Sequence, residues 1–303
     1  MIDYKLHSRY VINMKMIPQS PIHIGAGEGG FVKSIVFINV SGNPLPIIPA
    51  ESVKGVLRSI AARIAGSMKF NTAMYGLNVD DIVKNHKKDI HTDYVNKLLN
   101  ENRKEELTGK IKEVLKNIKL SEKHINNIVE ELGLKEALEL AVSLLCPICL
   151  LFGSRHYSGK ILITDAIPVN LNGNPTSPKM EMQTCTSISR ICRTVEAGRL
   201  YTVQYIVPDN IVYKLRMVID NVVKGDVETK LLENLLKYIG EHGIIIGGLK
   251  SRGFGHMKID MEILKMKFTK PKDKNDLNTI INNIKALLVR EEAVEKLTAD
   301  QIG

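Results

Sequence analysis

No apolar run in the 303-residue chain approaches the roughly 18 residues of a membrane span, which excludes a transmembrane protein. The first residues, Met1 to Lys5, lack the apolar core of a signal peptide, so the sequence reads as cytoplasmic. Four cysteines (Cys146, Cys149, Cys185 and Cys192) are too few for a disulfide framework at this length. Aromatic residues make up only 5%, yet 44% of the chain is hydrophobic, so general disorder is excluded too. No Ser-His-Asp or Cys-His arrangement stands out. Carboxylates are sparse beside the two glycine clusters, with Glu28 in the first and none in the second. A metal-dependent hydrolase would place several acids there.

Positive charge is in surplus: 42 Lys and Arg against 33 Asp and Glu give +9. Residues 67–145 hold 13 of each sign, so the surplus lies outside them. Such a distribution favours a polyanionic partner, nucleic acid above all, although Lys-rich compositions also accompany heat adaptation.

Residues 9–17 and 34–40 are β-branched and bounded by Gly and Pro, and read as strands. Val53, Val56, Leu57, Ile60, Ala61 and Ile64 recur at helical period from Pro49–Ser52 to Gly66, leaving Lys54 and Arg58 on another face. Charge-laced residues 67–145, broken at Gly109 and Gly133, read as several short helices inserted into a β-containing core. Strand signals resume at 160–168, 182–207 and 211–219. A helix marked by Val227, Leu231, Leu235 and Ile239 follows, then a strand at 256–264 and an amphipathic helix over 275–300. The expected fold class is α+β: two split βαβ halves, residues 1–66 and 146–264, forming a ferredoxin-like core with helices on one face. Residues 67–145 form its insertion and 265–303 a C-terminal helical extension.

The first glycine cluster contains a formal GxGxxG, Gly25 to Gly30, but a strand pattern follows where a dinucleotide site needs a helix. What remains is a loop whose bare N–H groups at Gly25 can approach a ligand, or simple turn chemistry. The second, Gly243 to His256, interleaves glycines with Lys250, Arg252 and Phe254, which suit phosphates and a stacked base. The alternative is a tight helix-to-strand connection with Phe254 in the core. Residues 182–207 read as a hairpin turning at Glu196-Ala197-Gly198, made basic by Arg190, Arg193 and Arg199. It can lie along a nucleic-acid backbone, or be an edge hairpin kept soluble by arginine. Cys146-Pro-Ile-Cys149 is half of a zinc site, and His86 with His91 has the H-x₄-H spacing that would complete it. Buried, unligated cysteines are the competing reading.

Five stretches in order carry a resemblance: His23 to Gly27 (HIGAG), Leu45 to Arg58 (LPIIPAESVKGVLR), Leu151 to Arg155 (LFGSR), Thr186 to Arg190 (TSISR) and Gly247 to His256 (GGLKSRGFGH). Together they resemble the RAMP superfamily of CRISPR-associated proteins, in particular the repeated backbone subunit of type III effector complexes. The resemblance implies a modified RRM/ferredoxin-like core with a helical insertion and a protruding β-hairpin. It implies copies stacked head-to-tail on CRISPR RNA beside other effector subunits, with target RNA as a further partner and no membrane. By position it implies RNA contacts at His23, Lys54, Arg58, Arg155, Arg190 and the loop Lys250 to Phe254. Target-cleaving members carry an Asp between the first loop and the PIIP motif; here that position is Ser34, and Ser189 stands where an acid is frequent. The expectation is therefore a scaffold copy that holds no Mg²⁺ and does not cut its target, with structural zinc. Its rivals are a RAMP endoribonuclease processing CRISPR transcripts with His23 as base, and a stand-alone zinc-supported RNA-binding module.

Overall fold

Burial alternates along the first strand, β1 (Arg9–Pro18): Tyr10, Ile12, Met14 and Met16 are buried, while Lys15 is exposed on the other face. The computed structural model describes residues 6, 8–27, 32–40, 42–70, 73–86, 91–117, 120–188, 195–266, 279 and 294–302. After β1 come three short strands, β2 (Val32–Lys33), β3 (Phe37–Val40) and β4 (Asn43–Pro46), then helix α1 (Ala50–Ser67). The insertion opens on a small hairpin, β5 (Ala73–Met74) and β6 (Leu77–Asn78). Five helices follow: α2 (Val79–Lys84), α3 (Thr92–Glu101), α4 (Lys104–Asn117), α5 (Glu122–Leu145) and α6 (Pro147–Phe152). The second half runs β7 (Ile161–Ile163), β8 (Ile167–Val169), β9 (Met180–Ile188), β10 (Val195–Ile206), β11 (Val212–Asp220), α7 (Val227–His242), β12 (Ile244–Ile245), β13 (His256–Met266) and β14 (Val294–Leu297).

The main sheet is antiparallel in the order β12-β13-β1-β11-β7, with β14 on β13 and β8 on β11. Taking β1, β7, β11 and β13 as four core strands, the first lies between the third and fourth, and the second lies outside the third. That order, with α1 in the first crossover and α7 in the second, is the ferredoxin-like pair of split βαβ units. α1 buries Val53, Leu57, Ile60, Ala61 and Ala65, α7 buries Leu231, Leu232, Leu235, Leu236 and Ile239, and the two helices pack on each other. α1 starts without a cap from its own flank. Asp165, between β7 and β8, accepts from the Ala50 N–H at 2.7 Å instead.

Three expectations change. The hairpin does not turn at Glu196-Ala197-Gly198. These residues lie in β10, where the register against β9 slips between Val195 and Leu200; residues 189–194 lie outside the described residues. A strand-interior Gly marks a bulge as readily as a turn. Gly109 does not break the insertion; it sits inside α4, whereas Gly133 (φ 76°) does kink α5. Most of the helix expected over 275–300 lies outside the described residues, and its last part is a strand, β14, followed by a 3-10 turn at Ala299–Gln301. β13 extends beyond its short neighbour β12, and β14 pairs with the edge left over, Ile263 to Met266.

Candidate functional site

The insertion and the core meet at a cluster of four donors. His86 follows α2, His91 precedes α3, Cys146 joins α5 to α6 and Cys149 lies in α6; one donor atom of each falls within 4.8 Å of all the others. His86 Nδ1 is 3.3 Å from His91 Nε2, 3.6 Å from Cys146 Sγ and 3.7 Å from Cys149 Sγ; His91 Nε2 is 3.4 Å from Cys149 Sγ. Zn–S bonds of about 2.3 Å and Zn–N bonds of about 2.0–2.1 Å at tetrahedral angles require edges of about 3.3–3.4 Å (N···N) and about 3.5–3.6 Å (N···S). These four edges match to within about 0.2 Å, and the two remaining pairs lie within 4.8 Å. Burial pushes the Cys146 thiol up, while the hydrogen bond from Cys146, followed by those of His86 and His91, pulls Cys149 down towards the thiolate that metals bind. Both histidines and both cysteines named from spacing converge here, and the set could hold a metal ion such as zinc.

Beside it runs a cationic cleft of about 690 Å³, lined by α1 residues Lys54 and Arg58 and by the segment Phe152 to Gly159, which carries Arg155. The segment folds tightly because its ends are glycines. Gly153 has φ 92°, and a Cβ on Gly159 would run into the Gly153 N–H and the Leu151 carbonyl. Arg155 is 66% exposed and reaches Glu136 at only 3.9 Å, a weak surface contact that a ligand can displace. Arg58 lies deeper. Its Nη2 is 4.0 Å from Cys149 Sγ, so it borders the cleft and the donor cluster together.

The two glycine loops meet around His23. The residue is buried, only 6% exposed, and stands between the loops. Gly248 N–H donates to the His23 carbonyl at 2.8 Å, and a Cβ on Gly247 would run into that carbonyl. His23 Nδ1 lies 2.8 Å from the Gln204 carbonyl, an acceptor, so Nδ1 carries the proton and Nε2 the lone pair. Gly25 and Lys250 line a second cleft, which shares Glu51 and Gly55 of α1 with the first. Arg252 sits 5.9 Å and Lys33 4.7 Å from the Tyr201 ring, a cation–aromatic group that spacing did not reveal. Phe254, half-buried, meets Tyr205 edge-on at 5.6 Å and so packs against the base of the hairpin. Arg190 and Arg193 lie outside the described residues, as does Glu28; Arg199 belongs to β10.

The open face of the main sheet carries no aromatic ring where it forms a further cleft, lined by Asn13, Lys15, Lys214, Arg216, Asp260 and Glu262 among others. An RRM stacks bases on aromatics of that face, and this cleft offers none among its lining residues. Among the described residues no helix is long and apolar enough to cross a membrane.

A family model described as RAMP superfamily matches residues 17–258. No curated protein matches the chain. Among solved structures it is similar to a chain of a "Type IV-B CRISPR Complex", at 14% identity over 84% of this chain and 90% of that one, with a TM-score of 0.46.

Proposed function

The chain belongs to the RAMP superfamily, and on that premise we propose that it is an RNA-binding backbone subunit of a type III CRISPR effector complex. It stacks head-to-tail with similar subunits on CRISPR RNA and contacts the target RNA through its hairpin. A zinc ion held by His86, His91, Cys146 and Cys149 fastens the insertion to the core, a structural role, since four protein ligands leave no position for substrate. The observation that carries the reading is the convergence of Lys54, Arg58 and Arg155 on one cleft beside two backbone-rich glycine loops. Phosphate-dominated binding of single strands falls with salt, with a log–log slope of about −0.7 per phosphate neutralised. Lys54→Ala with Arg155→Ala should leave the fold intact and cut affinity for single-stranded RNA about tenfold or more, flattening the slope by about 1.4. Anisotropy titrations at several salt concentrations measure both; unchanged binding by the folded double variant removes this cleft from the reading. Assembly is tested by mass measurement with and without guide RNA, where stepwise growth along the guide is expected and a lone monomer on RNA speaks for the stand-alone module.

The subunit does not itself cut the target. Metal-assisted cleavage needs a carboxylate to hold Mg²⁺ at the scissile phosphate. Ser34, half-buried after β2, offers a neutral hydroxyl where the resemblance expects Asp. With guide, complementary RNA and Mg²⁺, the native chain should give no guide-directed cuts and Ser34→Asp should gain them. Cuts by the native chain that vanish in Glu28→Ala would overturn this.

One observation favours a second reading. The Nδ1–H of His23 is committed to Gln204, which leaves Nε2 as a base of fixed tautomer, as metal-independent 2′-OH attack requires. Specific cleavage of repeat RNA in EDTA, lost in His23→Ala, is the result that would favour a processing enzyme.

A further inference from the structure

One residue of α1 serves neither the helix nor its neighbours. Gly55 is exposed in the first half of an 18-residue helix, where Ala would favour the helical backbone, and a Cβ there would meet nothing within 4 Å. The space is open and the sequence leaves it bare. Gly55 also stands on a crest: together with Glu51 it lines both the cleft of Lys54 and Arg58 and the second cleft beyond it. That second cleft, of about 950 Å³, is walled by α1, the C-terminal end of α7 and the second glycine loop. Two aromatic rings face each other at its α7 wall. Tyr238, 39% exposed, lies 4.8 Å from His242 at 56°. Arg63 and Lys250 supply cations, and Glu51, on the shared crest, is the one carboxylate among its lining residues. Aromatic surface for a base, cations and bare loop backbone for a phosphate, and a side-chain-free crossing to an adjacent cationic cleft together make a nucleotide subsite.

We propose that the RNA strand crosses α1 over Gly55 and seats one nucleotide in this second cleft, its base against Tyr238 and His242 and its phosphate towards Arg63 and Lys250. The proposal rests on the RNA-binding reading above and adds a path to it. A side chain at position 55 would then obstruct the strand without disturbing the protein, which separates this role from a structural one.

The test uses the full chain and single-stranded RNA carrying 2-aminopurine at successive positions, read by anisotropy and by fluorescence quenching, with thermal melts on every variant. Gly55→Gln should melt at or above the native temperature yet bind RNA at least tenfold more weakly. Tyr238→Ala should lose about tenfold in affinity together with quenching at one position, and Tyr238→Phe should keep both. Arg63→Ala should flatten the salt slope by about 0.7, one phosphate. If Lys54→Ala weakens RNA binding while Gly55→Gln, Tyr238→Ala and Arg63→Ala all bind as the native chain does, the path over α1 is wrong and the first cleft stands alone. If the native chain binds no single-stranded RNA, the RNA-binding reading falls and this one falls with it.

Discussion

Replacing Cys146 and Cys149 together by Ser should release the metal and free the insertion from the core, the largest loss expected from any pair of substitutions in the chain. Apparent binding energies of structural zinc reach about 10–16 kcal/mol in small peptides, and a domain's whole stability is only about 5–15 kcal/mol. Here the four donors come from two places far apart in sequence, the α2–α3 connection and the α5–α6 junction, so an ion held by them would close a loop of the insertion onto α6. Core residues such as Leu107, Ile111 and Leu138 keep some of the insertion's packing without it, so the expected loss is several kcal/mol and not the entire fold. Native protein should carry close to one zinc per chain by elemental analysis. The double variant should carry none, melt earlier, and lose amide-exchange protection across residues 73–145 before the main sheet loses any. Cys185→Ser, away from the cluster, controls for the loss of a thiol and should change nothing. Metal-free native protein with an unchanged melt and unchanged protection would return the four residues to ordinary core packing.

That cluster is legible in the sequence because both halves of it are local. Cys-x-x-Cys and His-x₄-His are spacings that one helix turn or one short connection can deliver. What no spacing could show is the outer environment: Arg58, read from helical periodicity as part of a cationic face, also reaches the Cys149 sulfur, because α6 packs beside α1. The same limit applies to the second cleft. Tyr238 and His242 lie four residues apart on α7, a pattern that ordinarily means a solvated helix face, and only the packing of α7 on α1 places them opposite Arg63. The strands of the core are legible from alternation, since Tyr10, Ile12, Met14 and Met16 must share one face. The hairpin turn is not, because Gly198 satisfies turn and bulge chemistry equally and long-range register decides between them. Residues 294–297 read as helix from local pattern, but the spare edge of β13, remote in sequence, makes them a strand.

Removing either partner of the Lys160–Glu228 pair should destabilise the fold by about 3–5 kcal/mol, while removing both should cost far less. Lys160 Nζ lies 2.6 Å from Glu228 Oε1, and their side chains are only 6% and 5% exposed. Attraction at that distance offsets the desolvation of both ions only while both are present; a single survivor is left buried without its partner, in a place that water does not reach. The position explains why the pair matters to the site. Lys160 ends the segment that carries Arg155; its N–H donates to the Leu150 carbonyl in α6 and its carbonyl accepts from Asp220 N–H at the end of β11. Glu228 lies in the first turn of α7, where the helix dipole favours a carboxylate. The pair thus pins the Arg155 segment between α6, β11 and α7. Urea unfolding of Lys160→Met, Glu228→Leu and the double variant Lys160→Met/Glu228→Leu closes a thermodynamic cycle, with a coupling of about 2 kcal/mol or more expected from neighbours in direct contact. Under conditions where Lys160→Met is still folded, its RNA affinity should fall much as it does in Arg155→Ala, because the loosened segment no longer holds Arg155 over the cleft. Single variants as stable as the native chain would mean that water reaches the pair. A destabilised Lys160→Met with native RNA affinity would show that the Arg155 segment keeps its place through Gly153 and Gly159 alone.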